Sequence, residues 1–102
     1  MNVIPLPNLN ENPKVIQQTI IGTQSYMFSY NWLDDGFCLL DIQLDDEYII
    51  KGMPMVTATD LIGRVKNSEL ITGSLFLINK FGQAIQPTQE NFNTDYYLTW
   101  VQ

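Results

Sequence analysis

The residues best suited to chemistry in this 102-residue chain are acidic, and five of the eleven lie in two short clusters, Asp34–Asp35 and Asp45–Glu47. Paired carboxylates can transfer protons or ligate calcium. The intervening residues 37–44 alternate like a β-strand, which rises about 3.3 Å per residue and keeps the two clusters roughly 26 Å apart. Neither cluster has the ligand spacing of a calcium-binding loop. We therefore interpret both as solvated hairpin turns.

Other reactive groups are scarce. The chain has no histidine, which is the commonest general base and transition-metal ligand, and its one cysteine, Cys38, lies in an apolar run. Gly52, Gly63 and Gly73 are too widely spaced for a phosphate-binding loop. The sequence predicts no catalytic residue, no metal site and no cofactor, so we do not expect an enzyme.

Charge and composition narrow the range of partners. Eleven acidic residues against five basic ones give a net charge of −6, and nine asparagines with eight glutamines slightly outnumber all charged side chains. Nucleic-acid binding requires a clustered positive surface, which the scattered lysines and arginine do not supply. No apolar run approaches the roughly 20 residues of a membrane-spanning helix, and the N-terminus lacks the pattern of a secretory signal. We expect neither nucleic acid nor membrane as a partner, and synthesis in a cytoplasm.

An aromatic row is the clearest periodic feature. Tyr26, Phe28, Tyr30 and Trp32 alternate with polar residues, so they lie on one face of a strand. Such a row is either a core face or a platform on which a sugar or nucleic-acid base stacks. Because no basic residue is interleaved with it, we favour the core face. A small binding module that recognises a sugar or peptide through Tyr26, Tyr30 and Trp32 is the alternative.

The secondary-structure elements predicted from the sequence are mainly strands. Alternating apolar residues and turn signals predict six of them: Lys14–Ile21, Ser25–Leu33, Phe37–Leu44, Tyr48–Lys51, Ser74–Lys80 and Tyr96–Val101. Thr57 and Asp60 have the spacing of a capping box, and Leu61, Ile62 and Val65 follow at helical spacing, which predicts one short α-helix. The expected fold is mainly β: a small antiparallel β-barrel or rolled sheet with one short α-helix, formed by a single domain over residues 14–102.

Residues 1–13 form an extended N-terminal arm, because three prolines prevent a helix there. Its apolar side chains must lie against a surface, either that of the same domain or that of a neighbouring subunit. We predict an interface with neighbouring subunits that uses four arm residues and one aromatic residue near the C-terminus: Val3, Ile4, Leu6, Leu9 and Trp100. An arm that packs on its own domain is the alternative.

The order of several short segments resembles the phage baseplate plug proteins of contractile-tailed phages and related prophages. The matching segments span nearly the whole chain: Ile4–Leu6, Trp32–Phe37, Leu40–Ile42, Gly52–Thr57 running into Asp60–Ile62, Gly73–Phe76 and Tyr97–Val101. The chain departs from the family pattern at Ala58, where the pattern has a glycine, and at Asn91–Asn93, which replaces a late Asn-Leu-Gly. None of the matching positions is a catalytic residue.

The resemblance implies a structural subunit of the central baseplate of a contractile phage tail, without catalysis. It also implies that the subunit packs between hub, tail tube or spike-associated proteins, in multiple copies arranged in a ring, and is made in the host cytoplasm before it joins the virion. A free binding module and an acidic inhibitor of a basic partner, encoded by a mobile element, are the competing interpretations.

Overall fold

In the computed structural model, the described residues are 2–34, 36–63 and 73–101, and they form two antiparallel β-sheets. The seven strands are β1 (Asn2–Ile4), β2 (Lys14–Ile21), β3 (Gln24–Trp32), β4 (Cys38–Leu44), β5 (Glu47–Pro54), β6 (Ser74–Asn79) and β7 (Tyr96–Val101). One sheet has the order β2-β3-β4-β5, and the other has the order β1-β7-β6. The mainly β class and the six strands predicted from sequence are confirmed, with ends that differ by up to three residues.

Tight turns connect the four-stranded sheet. Ile21 pairs with Gln24 across a two-residue turn in which Gly22 has a φ of 64°. Leu44 pairs with Glu47 in the same way, and Asp45 and Asp46 have φ values of 51° and 67°. Two consecutive residues in the left-handed region form the hairpin turn that matches strand twist, and aspartate tolerates this conformation better than most residues. The second acidic cluster therefore serves as a hairpin turn.

The two ends of the chain meet in the three-stranded sheet. The last strand, β7, lies in its centre and pairs antiparallel with both β1 and β6. Val3 lies opposite Thr99 in one ladder, and Leu77 lies opposite Leu98 in the other. A three-residue strand at the start of the arm is thus part of the sheet.

The core lies between the inner faces of the two sheets. The aromatic row fills much of it: Tyr26, Phe28 and Tyr30 are buried, and Trp32 is half-buried in an edge-to-face contact with Phe92 at 5.9 Å between ring centroids. Side chains of alternating strand positions reach this layer, as expected for sheets with one solvated face. The core-face interpretation of the row is confirmed.

The sheets do not close into a barrel, so that part of the prediction is wrong. The strands β1 and β2 lie close together, but in the described part of the chain they are linked by the Gln17 side-chain amide, which donates to the Pro5 carbonyl at 3.1 Å, and not by a ladder. The strand β1 ends after three residues, and Pro5 and Pro7 have no N–H to donate. A continuous ladder between the two sheets cannot form at this point.

The prediction of a short α-helix is also wrong for residues 57–63, the part of that segment that the structure describes. Residues 57–63 form a bridge, a turn and bends, and Val65 lies outside the described residues. The Asp60 carboxylate accepts N–H groups of Ile62 at 3.2 Å and of Leu75 at 3.0 Å, and the Leu61 N–H donates to the Leu75 carbonyl at 2.7 Å. The Leu61 N–H, which a helix would pair internally, is therefore paired with β6, and the Ile62 N–H is paired with the Asp60 side chain.

The carboxylate of Asp60 is the centre of this turn. An added Cβ at Gly63 would lie 2.5 Å from Asp60 Oδ2, so the glycine leaves the room that the carboxylate needs. Partial burial by itself would raise the pKa of Asp60, but the hydrogen bonds from Leu75, Ser74, Ile62 and Gly63 outweigh it and lower the pKa. Thr57 and Asp60 have the spacing of a capping box, but the Asp60 side chain joins its loop to β6 and does not cap a helix.

We expect Leu9→Ala to lower the free energy of unfolding by about 2–5 kcal/mol, because Leu9 is fully buried and its truncation leaves a cavity. Chemical denaturation of the purified protein measures this loss. Val3→Ala is the matched control in the same arm: Val3 is 61% exposed, and we expect a change within about 0.5 kcal/mol. Equal, small effects at both positions would contradict the packing of the arm on its own domain.

We expect Ala58→Gly to stabilise the protein by about 0.5–1 kcal/mol. Ala58 has a φ of 61°, a conformation that costs about 1–2 kcal/mol for a residue with a Cβ, and the extra freedom of glycine in the unfolded chain offsets part of the gain. Thermal and chemical denaturation measure the difference. The exposed Ala84 offers the control, since Ala84→Gly relieves no left-handed conformation and is expected to be neutral or slightly destabilising.

Candidate functional site

The predicted interface residues occupy two different environments. Ile4, Leu6, Leu9 and Trp100 are buried in the core of the same chain, and Val3 is exposed on β1. Trp100 lies near the turn between β2 and β3, because its ring is 3.9 Å from the position that a Cβ on Gly22 would take. In the isolated chain the arm therefore packs on its own domain, and Val3 alone among the five is free to meet a neighbour.

The aromatic row offers no binding face for a sugar or peptide. Tyr26 and Tyr30 point into the core, and Trp32 is half-buried against Phe92. A ligand that stacks on these rings would have to separate the two sheets. The alternative that assigned recognition to this face is contradicted by the burial of its residues.

The titratable core groups are held in their neutral forms. Burial raises the pKa of the Cys38 thiol to about 12, although a backbone hydrogen bond at Asn31 acts in the opposite direction. Burial, with the nearby Cys38, also raises the pKa of Tyr30. Thiolate is the reactive form of cysteine, so this thiol has the character of a packed apolar group. In residues 2–34, 36–63 and 73–101 no group of three or more acidic or cysteine side chains converges in a way that could hold a metal ion.

The exposed apolar side chains are the notable surface feature. A loop between β6 and β7, which we call the Phe81 loop (residues 80–86), presents Phe81 with 69% of its surface exposed and Ile85 with 58% exposed. Exposed aromatic and large aliphatic residues on a folded domain are typical of protein–protein contacts. The loop is therefore a candidate assembly surface.

Hydrogen bonds hold the backbone of the Phe81 loop in place. The side-chain oxygen of Asn79 accepts the N–H groups of Phe81 at 2.8 Å and Gln83 at 3.3 Å. At the other end, the Gln86 amide accepts the Thr57 N–H at 3.0 Å and donates to the Thr57 hydroxyl at 2.9 Å. The Tyr96 hydroxyl donates to the Ile85 carbonyl. A loop fixed in this way loses little conformational entropy when its two side chains enter a partner.

A shallow cleft of about 220 Å³ lies beside the loop. It is lined by Thr57 and Ala58, by residues 77–79 of β6 and by residues 82–84. A partner side chain that enters the cleft would lie next to the loop backbone. The cleft and the Phe81 loop together form a surface with both a projection and a recess.

A second surface lies at the free edges of β1 and β2. A cleft of about 280 Å³ separates these strands and is lined by Val3, Pro5 and residues 17–20. Ile16 is 59% exposed, Ile20 is 67% exposed, and Met27 on the neighbouring strand is 40% exposed. We call this the β2 edge (Val3, Ile16, Ile20 and Met27).

Sequence reasoning identified Val3 but missed the other members of both surfaces. Ile16 and Ile20 occupy alternate positions in a strand whose remaining apolar residues are Val15 and Ile21, so one face of that strand had to be exposed. Phe81 directly follows the predicted strand Ser74–Lys80 and precedes Gly82, a position where a large aromatic side chain has no core to enter. Apolar residues at outward-facing strand positions or in turns were the sequence signal that could have indicated the two surfaces.

We expect Cys38 to be unreactive in the folded protein, because the thiol is buried and burial raises its pKa to about 12. Reaction with a chromogenic disulfide reagent at mildly alkaline pH measures this. The folded protein should react many times more slowly than the same protein in denaturant. Equal rates in the two conditions would contradict the placement of Cys38 in the core.

Comparison with known proteins gives one family. A family model described as cyanophage baseplate Pam3 plug gp18 matches residues 1–102, the whole length of the chain. No curated protein matches the sequence. Among the described residues no helix is long and apolar enough to cross a membrane. The match covers every strand, both candidate surfaces and the turn at Asp60, and the chain therefore belongs to the baseplate plug family of phage tails.

Proposed function

We propose that this protein is a structural subunit of the central baseplate of a contractile phage tail, where it packs between hub, tail tube or spike-associated proteins in several copies around the tail axis. The observation that carries the proposal is the family match over the whole chain. Members of a baseplate plug family are structural virion components, and their function is exerted in contact with other baseplate proteins. The chain would be made in the host cytoplasm and would join the tail during assembly.

The distribution of polar and apolar groups supports a structural role. The Cys38 thiol is buried, and the acidic residues Asp45 and Asp46 form a hairpin turn. By contrast, the Phe81 loop presents two large apolar side chains on a fixed backbone. Surfaces of low charge with apolar anchors are suited to permanent contacts, whereas charged surfaces mainly accelerate encounter.

The arm has a defined part in this proposal. Val3 contacts a neighbouring subunit directly, while Ile4, Leu6 and Leu9 hold the arm on the domain and Trp100 holds the central strand with which β1 pairs. The net charge of −6 favours neighbours with basic surfaces and opposes close contact between acidic faces of adjacent copies. The five residues predicted from sequence thus act as one exposed contact and four supports.

The location of the protein is tested by antibody-gold labelling of purified tail particles, together with mass spectrometry of isolated baseplates. We expect label at the baseplate and the polypeptide in a fixed ratio to other baseplate proteins. If the polypeptide is abundant in the lysate but absent from the particles, the proposal fails.

We expect the double substitution Phe81→Ser/Ile85→Ser to reduce incorporation into baseplates at least tenfold, because two exposed apolar anchors are removed. Incorporation is measured by mass spectrometry after complementation of a deletion strain. The melting temperature of the free protein should change little, since both side chains are exposed.

Tyr48→Ser is the matched control for this experiment. Tyr48 is about half exposed on β5, outside both candidate surfaces, and its ring lies under the Lys51 ammonium group at 4.9 Å. We expect this variant to be incorporated at the wild-type level. Full incorporation of the Phe81/Ile85 double variant would remove the Phe81 loop from the proposed contact surface.

A further inference from the structure

We propose that two copies of this chain pair through their β2 strands, antiparallel and around a two-fold axis, so that the two four-stranded sheets form one continuous eight-stranded sheet. The inference concerns the free protein and does not rest on the baseplate role. It follows from the chemistry of the strand edges that the described residues leave open.

The two sheets have four edge strands, and three of them are unsuited to pairing. The strand β1 has three residues and is followed by Pro5. The outer side of β6 is partly occupied, because Leu77 forms a bridge with Thr57 and the Leu75 carbonyl accepts the Leu61 N–H. Irregular or covered edges of this kind are how proteins prevent unwanted strand addition.

The edge strand β5 is irregular for a different reason. Its ladder with β4 shifts register twice between Leu40 and Gln43, and Gly52 has a φ of 70°. The strand also has Lys51 and ends at Pro54. Bulges, lysine and proline each oppose the addition of another strand.

The remaining edge, β2, is regular and, among the described residues, has no ladder or bridge on its outer side. The arm lies across a cleft from it, and the Gln17 side-chain amide donates to the Pro5 carbonyl. All eight residues of β2 pair with β3 in unbroken register from Lys14 to Ile21. It has one charge, that of Lys14, at its first position, and no proline or glycine. A long, regular and weakly charged edge is a template for a further strand.

The hydrogen-bonding direction of β2 can be read from its ladder. The Trp32 N–H donates to the Pro13 carbonyl at 2.7 Å, and the register continues this pairing into β2. Hydrogen-bonded and non-hydrogen-bonded pairs alternate in antiparallel ladders, so odd-numbered residues of β2 bond to β3. The N–H and C=O groups of Ile16, Gln18 and Ile20 therefore point away from the sheet and have no strand partner among the described residues.

A second copy supplies the matching edge with its own β2. The other edge strands of the second copy are short, covered or irregular, so β2 is the edge strand through which the second copy pairs. A two-fold axis at Gln18 places Ile16 opposite Ile20 of the second copy. The N–H and C=O groups of Ile16, Gln18 and Ile20 then point toward β2 of the second copy. The exposed faces of the two isoleucines then meet on the outer surface of the sheet, as cross-strand neighbours do.

Charge and area are compatible with this pairing. Lys14 falls opposite Gly22 of the second copy, at the end of the ladder, so no like charges face each other. A strand of eight residues is about 27 Å long, and the shortest dimension of the molecule is 21 Å. A face of these dimensions covers at most roughly 500 Å² per copy, so the total area buried by two copies reaches at most about 1,000 Å², the lower limit for a specific interface. We expect a dimer that dissociates on dilution and that moderate salt strengthens, since salt screens the repulsion between two chains of charge −6.

Sedimentation velocity over a wide range of protein concentrations tests the pairing. We expect a monomer–dimer equilibrium for the wild type. The substitution Ile16→Glu/Ile20→Glu places like charges opposite each other at both isoleucine pairs, and it should abolish the dimer.

The matched variant Ile16→Glu/Ile20→Lys removes the same two isoleucines. In the proposed register each introduced glutamate faces an introduced lysine, so this variant should still dimerise. A wild type that is monomeric at every concentration overturns the proposal, and so does equal dimerisation of the two double variants.

A cysteine introduced at the two-fold axis gives a second test that does not depend on removing contacts. Opposite residues of a hydrogen-bonded pair have Cα atoms about 5.5 Å apart, within the range that a disulfide spans. Gln18→Cys should therefore form a disulfide-linked dimer on mild oxidation, and the buried Cys38 does not interfere.

Met27→Cys is the control for the disulfide test. It lies next to Gln18 on the adjacent strand, but three strand spacings, about 14 Å, separate it from Met27 of the second copy. It should form no such dimer at the same protein concentration. Equal yields of disulfide from the two variants would contradict the proposed register.

Discussion

The packing of the two inner sheet faces against each other is the interaction on which the rest of the structure depends. Phe28 and Tyr30 extend from the four-stranded sheet, and Phe92 comes from the loop that precedes β7. The centroids of Phe28 and Tyr30 are 6.3 Å apart, as are those of Tyr30 and Phe92, within the range for favourable aromatic pairs. Because a domain of this size has a small core, each of these large buried rings is a substantial part of it.

That packing determines which parts of the chain remain available for contact. The rings that looked suited to recognition are used for stability, and the apolar side chains left outside are in a turn and on an open edge. The Phe81 loop can expose its two apolar residues because Asn79, Gln86 and Tyr96 fix the backbone around them. A small structural subunit thus keeps its core and its contact surfaces separate, which is consistent with membership of a baseplate plug family.

Most of the strands could be predicted from the sequence because their signals are local. The alternation in β3 and the turn residues at Gly22 and Asp45–Asp46 specify strand and hairpin without reference to the rest of the chain. The segment at Thr57–Asp60 failed as a prediction because its signal was ambiguous. An acid three residues after a threonine can pair with the first turn of a helix, but it can equally accept N–H groups from another strand, as Asp60 does from Leu75.

The sequence by itself determined the β class, the positions of six strands along the chain, the small number of basic residues and the absence of histidine chemistry. These properties follow from composition and from neighbours in the chain. The sequence also predicted that the arm forms no helix, and residues 2–13 form a short strand followed by irregular backbone with a turn at residues 9–11. Only the tertiary structure decided that Leu9 is in the core while Val3 is exposed, that the sheets stay separate at β1 and β2, and that Phe81 and Ile85 face outward. These outcomes depend on pairs of residues far apart in the chain, such as Val3 with Thr99 and Thr57 with Gln86, and no local pattern specifies which distant segment a residue will meet.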